Sequence, residues 1–197
     1  MNAFKPRLVI GMTGASGAPY TRDLLETLKD LPIETHLVIS EGAKRVIAAE
    51  MNQSAKDLEP LASVVYDDRD VGASIASGSF ITLGMVIVPC SSSTLAKIAH
   101  GIGDTLTTRA AHVHLKERRN LVLVPREAPY SRPMLESMLK AFDAGARILP
   151  ASPGFYHAPQ EISDLLGFVT ARILDQFGIA NTRARRWKDK PALEDAD

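Results

Sequence analysis

Cysteine is nearly absent: the chain of 197 residues carries one, Cys90. A single thiol excludes an internal disulfide framework and suits a reducing compartment. Net charge is absent as well, because 23 Lys and Arg are balanced by 23 Asp and Glu. The basic excess of a nucleic-acid or acidic-membrane binder is therefore missing. No apolar run approaches the roughly 18 to 20 residues that cross a bilayer, and the opening MNAFKPR lacks the apolar core of a signal peptide. These absences predict a cytoplasmic protein with no nucleic-acid and no membrane partner. There is no repeat, low-complexity tract or linker. What remains is an ordinary globular composition, 45% apolar and 23% charged, at a length that suits one well-buried domain.

Apolar runs alternate with helical patterns along the chain. Residues 7–12 (RLVIGM) read as a buried strand, followed by a turn at 13–17 and a helix with Leu24, Leu25 and Leu28 on one side. Residues 33–39 form a second strand, after which Ser40 can cap a helix that places Ala43, Val46, Ile47 and Glu50 on neighbouring turns. Residues 57–79 show no regular pattern. Further strands are predicted at 85–88, 121–124 and 147–149, a polar turn at 91–94, and helices at 95–100, 134–144 and 159–177. Short β-branched runs without polar alternation are strands buried on both faces, so the fold class is α/β: a doubly wound parallel sheet in a single domain, 1–197. Its core spans about 7–178, with a polar tail at 179–197.

In such a sheet ligands bind beyond the carboxyl ends of the strands, so the residues after each apolar run carry the information. The first turn, GMTGASG, places Gly11, Gly14 and Gly17 between a strand and a helix, where backbone amides can approach an anion. A tight turn without a ligand explains the same glycines. The spacing is GxxGxxG rather than GxGxxG, and Ser40 stands where a dinucleotide binder carries a ribose-binding acid, which disfavours a nicotinamide cofactor. In PCSSST, the hydroxyls of Ser91, Ser92, Ser93 and Thr94 can donate to phosphate while one caps a helix. Cys90 reads as a small buried residue rather than a nucleophile. Arg126 and Glu127 follow the strand LVLV, as a surface ion pair or an anion clamp. Arg172 borders the apolar stripe of the last helix and is expected to face a partner or a buried anion. His112 and His114, two apart on a helix, point to nearly opposite sides, so no metal site is expected.

Taken in order, GMTGASGAPY, THLVIS, VIVPCSSSTL, LKERRNLVLVPREAPYS and ILPASPGFYHAPQ resemble the UbiX-type flavin prenyltransferases, formerly described as aromatic-acid decarboxylases, over about residues 7–187. The resemblance implies a Rossmann-like or flavodoxin-like flavoprotein domain and a homododecamer with FMN at subunit interfaces. It implies transfer of the dimethylallyl group of dimethylallyl monophosphate to N5 and C6 of reduced FMN, without metal. The prenylated FMN is then delivered to a UbiD-type decarboxylase. It further implies that Gly14, Ala15, Ser16, Ser40, Ser91, Ser92, Ser93, Thr94 and Arg126 meet FMN, and that Arg109, Lys116, Glu127, Tyr156, Arg172 and Trp187 surround the prenyl phosphate. Ser16 and Glu50 would handle the proton. The competing expectations are a flavin-dependent cysteine decarboxylase, which usually shows PASANT where this chain has PCSSST, and a non-catalytic FMN-binding accessory subunit.

Overall fold

The computed structural model describes residues 5–183. Six strands, β1 (Arg7–Met12), β2 (Glu34–Ile39), β3 (Val64–Asp67), β4 (Gly84–Cys90), β5 (Asn120–Pro125) and β6 (Arg147–Ile148), form one sheet in the order β3-β2-β1-β4-β5-β6. Every pairing is parallel. The helices are α1 (Ala18–Lys29), α2 (Glu41–Met51), α3 (Ser92–Ala99), α4 (Leu106–Lys116), α5 (Arg132–Asp143) and α6 (Ile162–Gln176).

Side chains alternate across each strand, so every buried strand feeds two apolar layers. Leu8, Ile10, Met12, Val86, Val88, Val122 and Val124 pack beneath α1, α2 and α6, against Leu24, Ile47, Val169 and Ile173. Val9, Val38, Met85, Ile87, Leu121 and Leu123 pack beneath α3, α4 and α5, against Leu95, Leu106, Ala110 and Met134. All seven residues of β4 are buried, which explains its unbroken apolar run.

The doubly wound sheet agrees with the expectation, while several boundaries differ. Strand β3 lies within the stretch that shows no pattern: it is a four-residue edge strand whose residues alternate half-buried and exposed. Residues 92–94 form the first turn of α3 rather than a free turn, because Ser91 is the cap and its Oγ accepts the Thr94 amide at 3.3 Å. The last helix starts at Ile162, not 159, since the cap is Glu161 with Asp164 reaching back to its amide. It stops at Gln176, and β6 is one residue shorter than 147–149.

Candidate functional site

The chain runs outward from β1 to β3 on one side and from β4 to β6 on the other, so the switch point lies between the carboxyl ends of β1 and β4. Thr13, 1% exposed, ties the two ends together. Its Oγ1 donates to the Pro89 carbonyl at 2.8 Å and accepts the Ser91 amide at 2.7 Å. Beside it, the first turn lies directly on the start of α2. A Cβ at Gly14 would sit 3.1 Å from Gly42 Cα, and one at Gly42 would sit 3.2 Å from Gly14 Cα. Gly42 is thus part of the turn's geometry although nothing in its own sequence neighbourhood signals it.

Glu50 ends α2 and reaches over to the start of α1. Its Oε2 accepts the amides of Gly17 at 2.9 Å and Ala18 at 2.8 Å. Burial raises its carboxyl pKa, but the Ser16 hydroxyl, the two amides and the Arg126 charge together outweigh that effect and hold it below the ordinary value. Arg126 closes the group, its Nε donating to the Ser16 carbonyl at 3.1 Å. Ser16, Glu50 and Arg126, distant in sequence, therefore converge. Glu127 does not pair with Arg126; its carboxylate accepts the Ala128 amide at 3.1 Å.

A pocket of about 280 Å³ opens at the same pole, lined among others by Thr13, Ser40, Gly42, Thr94, Thr105 and Thr107. Three helix starts converge on it, α2 capped by Ser40, α3 by Ser91 and α4 by Thr105. Their dipoles favour an anion, although the first amides of α4 are already engaged: those of Leu106 and Thr107 donate to the Asp68 carbonyl and carboxylate, and that of Thr108 to Thr105 Oγ1. Four carboxylates also line the pocket, and each is engaged: Glu41 by Lys44, Asp67 by Arg69, Asp68 by Thr107 and Asp104 by Lys97. The hydroxyls and helix starts could hold a nucleotide phosphate such as that of FMN, with three of the four acids neutralised by Lys44, Arg69 and Lys97.

The remaining expected site residues lie elsewhere. Ser92 and Ser93 are exposed on α3 and do not line this pocket. Arg109 is exposed on α4, and Lys116, at its end, pairs with Glu117. Tyr156 packs edge-on against His157 and Phe168. Among the described residues Arg172 is ion-paired to the half-buried Asp175 at 2.8 Å, and it lines a second pocket, of about 300 Å³, between β6 and α6. Phe168 lines that pocket too, linking Tyr156 to Arg172. Trp187 lies outside the described residues. Cys90 is fully buried and its thiol is pushed up to about 12 by burial, which removes it as a nucleophile. His114 is buried between Thr82 and the Ala110 carbonyl. Among the described residues no helix is long and apolar enough to cross a membrane, and no group of three or more His, Cys, Asp or Glu is disposed to hold a metal ion.

The doubly wound sheet carries a pocket at its switch point, where such folds bind ligands, and the chain is a flavoprotein: the Flavoprotein family model matches residues 2–174. Flavin prenyltransferase UbiX of Deinococcus radiodurans is 61% identical over 187 residues, 95% of this chain and 96% of that protein. Among solved structures, the dodecameric FMN-dependent UbiX-like decarboxylase of Escherichia coli O157:H7 superposes with a TM-score of 0.90 at 48% identity, over 92% of this chain and 99% of that one. AnUbiX in complex with FMN and dimethylallyl pyrophosphate gives 0.91 at 42% identity, over 93% and 98%. The chain belongs to the UbiX-type flavin prenyltransferases.

Proposed function

We propose that this enzyme joins the dimethylallyl group of dimethylallyl monophosphate to N5 and C6 of reduced FMN, and that a UbiD-type decarboxylase receives the prenylated FMN. The observation that carries this reading is the convergence of Ser16, Glu50 and Arg126 at the pole where a pocket lined by Thr13, Ser40, Thr94 and Thr107 opens. Gly14, Ala15, Ser16, Ser40, Arg126 and the Ser91 to Thr94 segment would hold FMN. When bound, reduced FMN supplies the two ring positions that accept the prenyl group.

The chain's own part is to place charge and protons. An allylic monophosphate leaves poorly, so the charge growing on its oxygens must be met by fixed cations, a role for Arg109, Lys116, Arg126 and Arg172. Glu50, kept ionised by its amide contacts, orients the Ser16 hydroxyl and can take a proton through it. Tyr156 and Trp187 offer aromatic faces to developing allyl cation character, and Glu127 completes the donor pocket. The 48% identical Escherichia coli relative is dodecameric, which supports a site completed by neighbouring copies of this chain.

The test is anaerobic incubation of the protein with reduced FMN and dimethylallyl monophosphate, followed by mass spectrometry of the flavin. The expected product is heavier by one prenyl group. Bound FMN of unchanged mass would overturn the reading and return the choice to a cysteine decarboxylase or an accessory FMN carrier.

A further inference from the structure

A long arginine side chain loses rotamer freedom when it grips an anion, unless neighbours have already fixed it. Around α6 the structure shows such neighbours. Arg172 Nη1 donates to Asp175 Oδ2 at 2.8 Å. The two side chains differ in exposure, 50% for Arg172 and 16% for Asp175, so the carboxylate is the fixed member and the guanidinium the presented one. Asp175 Oδ1 in turn accepts from Asn181 Nδ2 at 3.4 Å.

Asn181 comes back to Asp175 because of how the helix ends. After the cap at Phe177, Gly178 adopts φ +68°. The Ile179 amide bonds the Leu174 carbonyl at 3.1 Å and the Gly178 amide bonds that of Asp175 at 3.2 Å, a Schellman turn that sends the chain back over α6. Ile179 then packs into the apolar layer. At the far end of the same segment Arg183 pairs with Asp23 of α1, which also accepts the Thr170 hydroxyl at 2.5 Å. Asp23 is 8% exposed, and a buried carboxylate that loses its cation is costly, so this anchor is firm. Gly167 makes room for it, since a Cβ there would lie 2.8 Å from the Arg183 carbonyl oxygen. Residues 178–183 are thus fastened at both ends, with Asp175 held between Arg172 and Asn181.

We infer that Asp175 is a positioning residue for the transfer reaction: it holds one nitrogen of Arg172 so that the guanidinium is presented to the pocket between β6 and α6 as a preset fork for the donor's phosphate, while residues 178–183 keep Asp175 in place. The inference rests on the reading of Arg172 as a donor-phosphate residue. Because Asp175 engages Nη1, a phosphate can bind through the other N–H groups without breaking the pair.

The experiment is steady-state kinetics of the full chain with reduced FMN and a titration of dimethylallyl monophosphate, for wild type, Asp175→Asn, Arg172→Ala and the double variant. Asp175→Asn is expected to raise the donor KM on the order of 10-fold, the scale of one charge-assisted contact, with kcat within about threefold and FMN affinity unchanged. Asp175→Glu should recover part of that loss. In the Arg172→Ala background, Asp175→Asn should add less than about twofold, because it acts through the arginine. A wild-type donor KM in Asp175→Asn, with Arg172→Ala impaired, overturns the positioning role alone. An equal Asp175→Asn effect in both backgrounds overturns it too, since that is the signature of a merely structural carboxylate. A wild-type donor KM in Arg172→Ala overturns the reading of Arg172 and this inference with it. If Asp175→Asn does not fold, Asn181→Ala serves instead, with an expected rise of about twofold to fivefold in donor KM on wild type and none on Arg172→Ala; a rise in both backgrounds or in neither overturns the role.

Discussion

At the β1–β4 pole the polar groups find their partners within the chain: Glu50 meets two amides and the Ser16 hydroxyl, Arg126 holds the Ser16 carbonyl, and Thr13 bridges two turns. At the β6–α6 edge, both ring nitrogens of His157 and the side-chain oxygen of Asn181 are buried with no hydrogen-bond partner among the described residues. There Phe155 and Ile162 are 70% and 73% exposed. Buried polar atoms without partners are uncommon in a folded chain, whose buried polar groups are nearly always hydrogen-bonded. The difference teaches that the first region is preorganised by its own fold, whereas the second holds polar and apolar groups that find no partner among the described residues.

The largest effect should come from breaking the self-sufficient half. Glu50→Gln and Ser16→Ala are expected to slow prenylation by on the order of 10²-fold or more, the scale of a positioned acid or base, while FMN binding persists. Single-turnover rates beside FMN titrations would check this. Wild-type turnover in both variants would move the proton chemistry out of this turn and reduce Glu50 to a helix cap.

A smaller effect sharpens the comparison by acting on both regions at once. Burial lowers the His114 pKa to about 4, with the Ala110 carbonyl opposing and the Arg119 charge assisting. The unfolded imidazole titrates near 6.5, so unfolding takes up a proton between these two values. Stability from this group is complete above pH 6.5 and falls as pH drops toward 4, by at most about 1.4 kcal/mol per pH unit. Denaturant unfolding across that window should show the slope, and His114→Gln should flatten it. The Glu50 cap, its carboxyl held below the ordinary value, persists until the pH falls through that depressed pKa.

The smallest effect is confined to the edge. Gly178→Ala places a Cβ on a residue at φ +68°, which should cost about 1 kcal/mol through the left-handed conformation. Thermal unfolding would register the loss, and proteolysis within 178–183 should quicken while the β1–β4 pole keeps its FMN affinity. An equal loss of FMN affinity would show that the two regions are not separable.

Much of the scaffold was legible because burial on both faces writes itself as an apolar run: RLVIGM and MVIV read as strands by composition alone, the second extending by one residue before and two after. β3 escaped because an edge strand alternates weakly over four residues. The start of α6 was misread because Glu161 is not a common capping residue. Within the site, Ser40 and Arg126 were visible as residues following strands, whereas Ser16 entered only through the family resemblance. Glu50 was placed on α2, but its reach to Gly17 depends on how two helices pack, which no local pattern records. The same holds for Gly42, whose meaning lies in the Gly14 backbone opposite, and for Asp23, a helix carboxylate that is buried beside Arg183.

The sheet's two borders have a consequence of a different kind. One border strand is four residues long and the other two. A chain arriving as an extra strand would find too short a ladder to zip onto, which removes the usual seed of ribbon-like, runaway growth. Crowding copies of this protein together therefore favours encounters between helices and loops, where side-chain shape rather than backbone pairing decides which contacts persist.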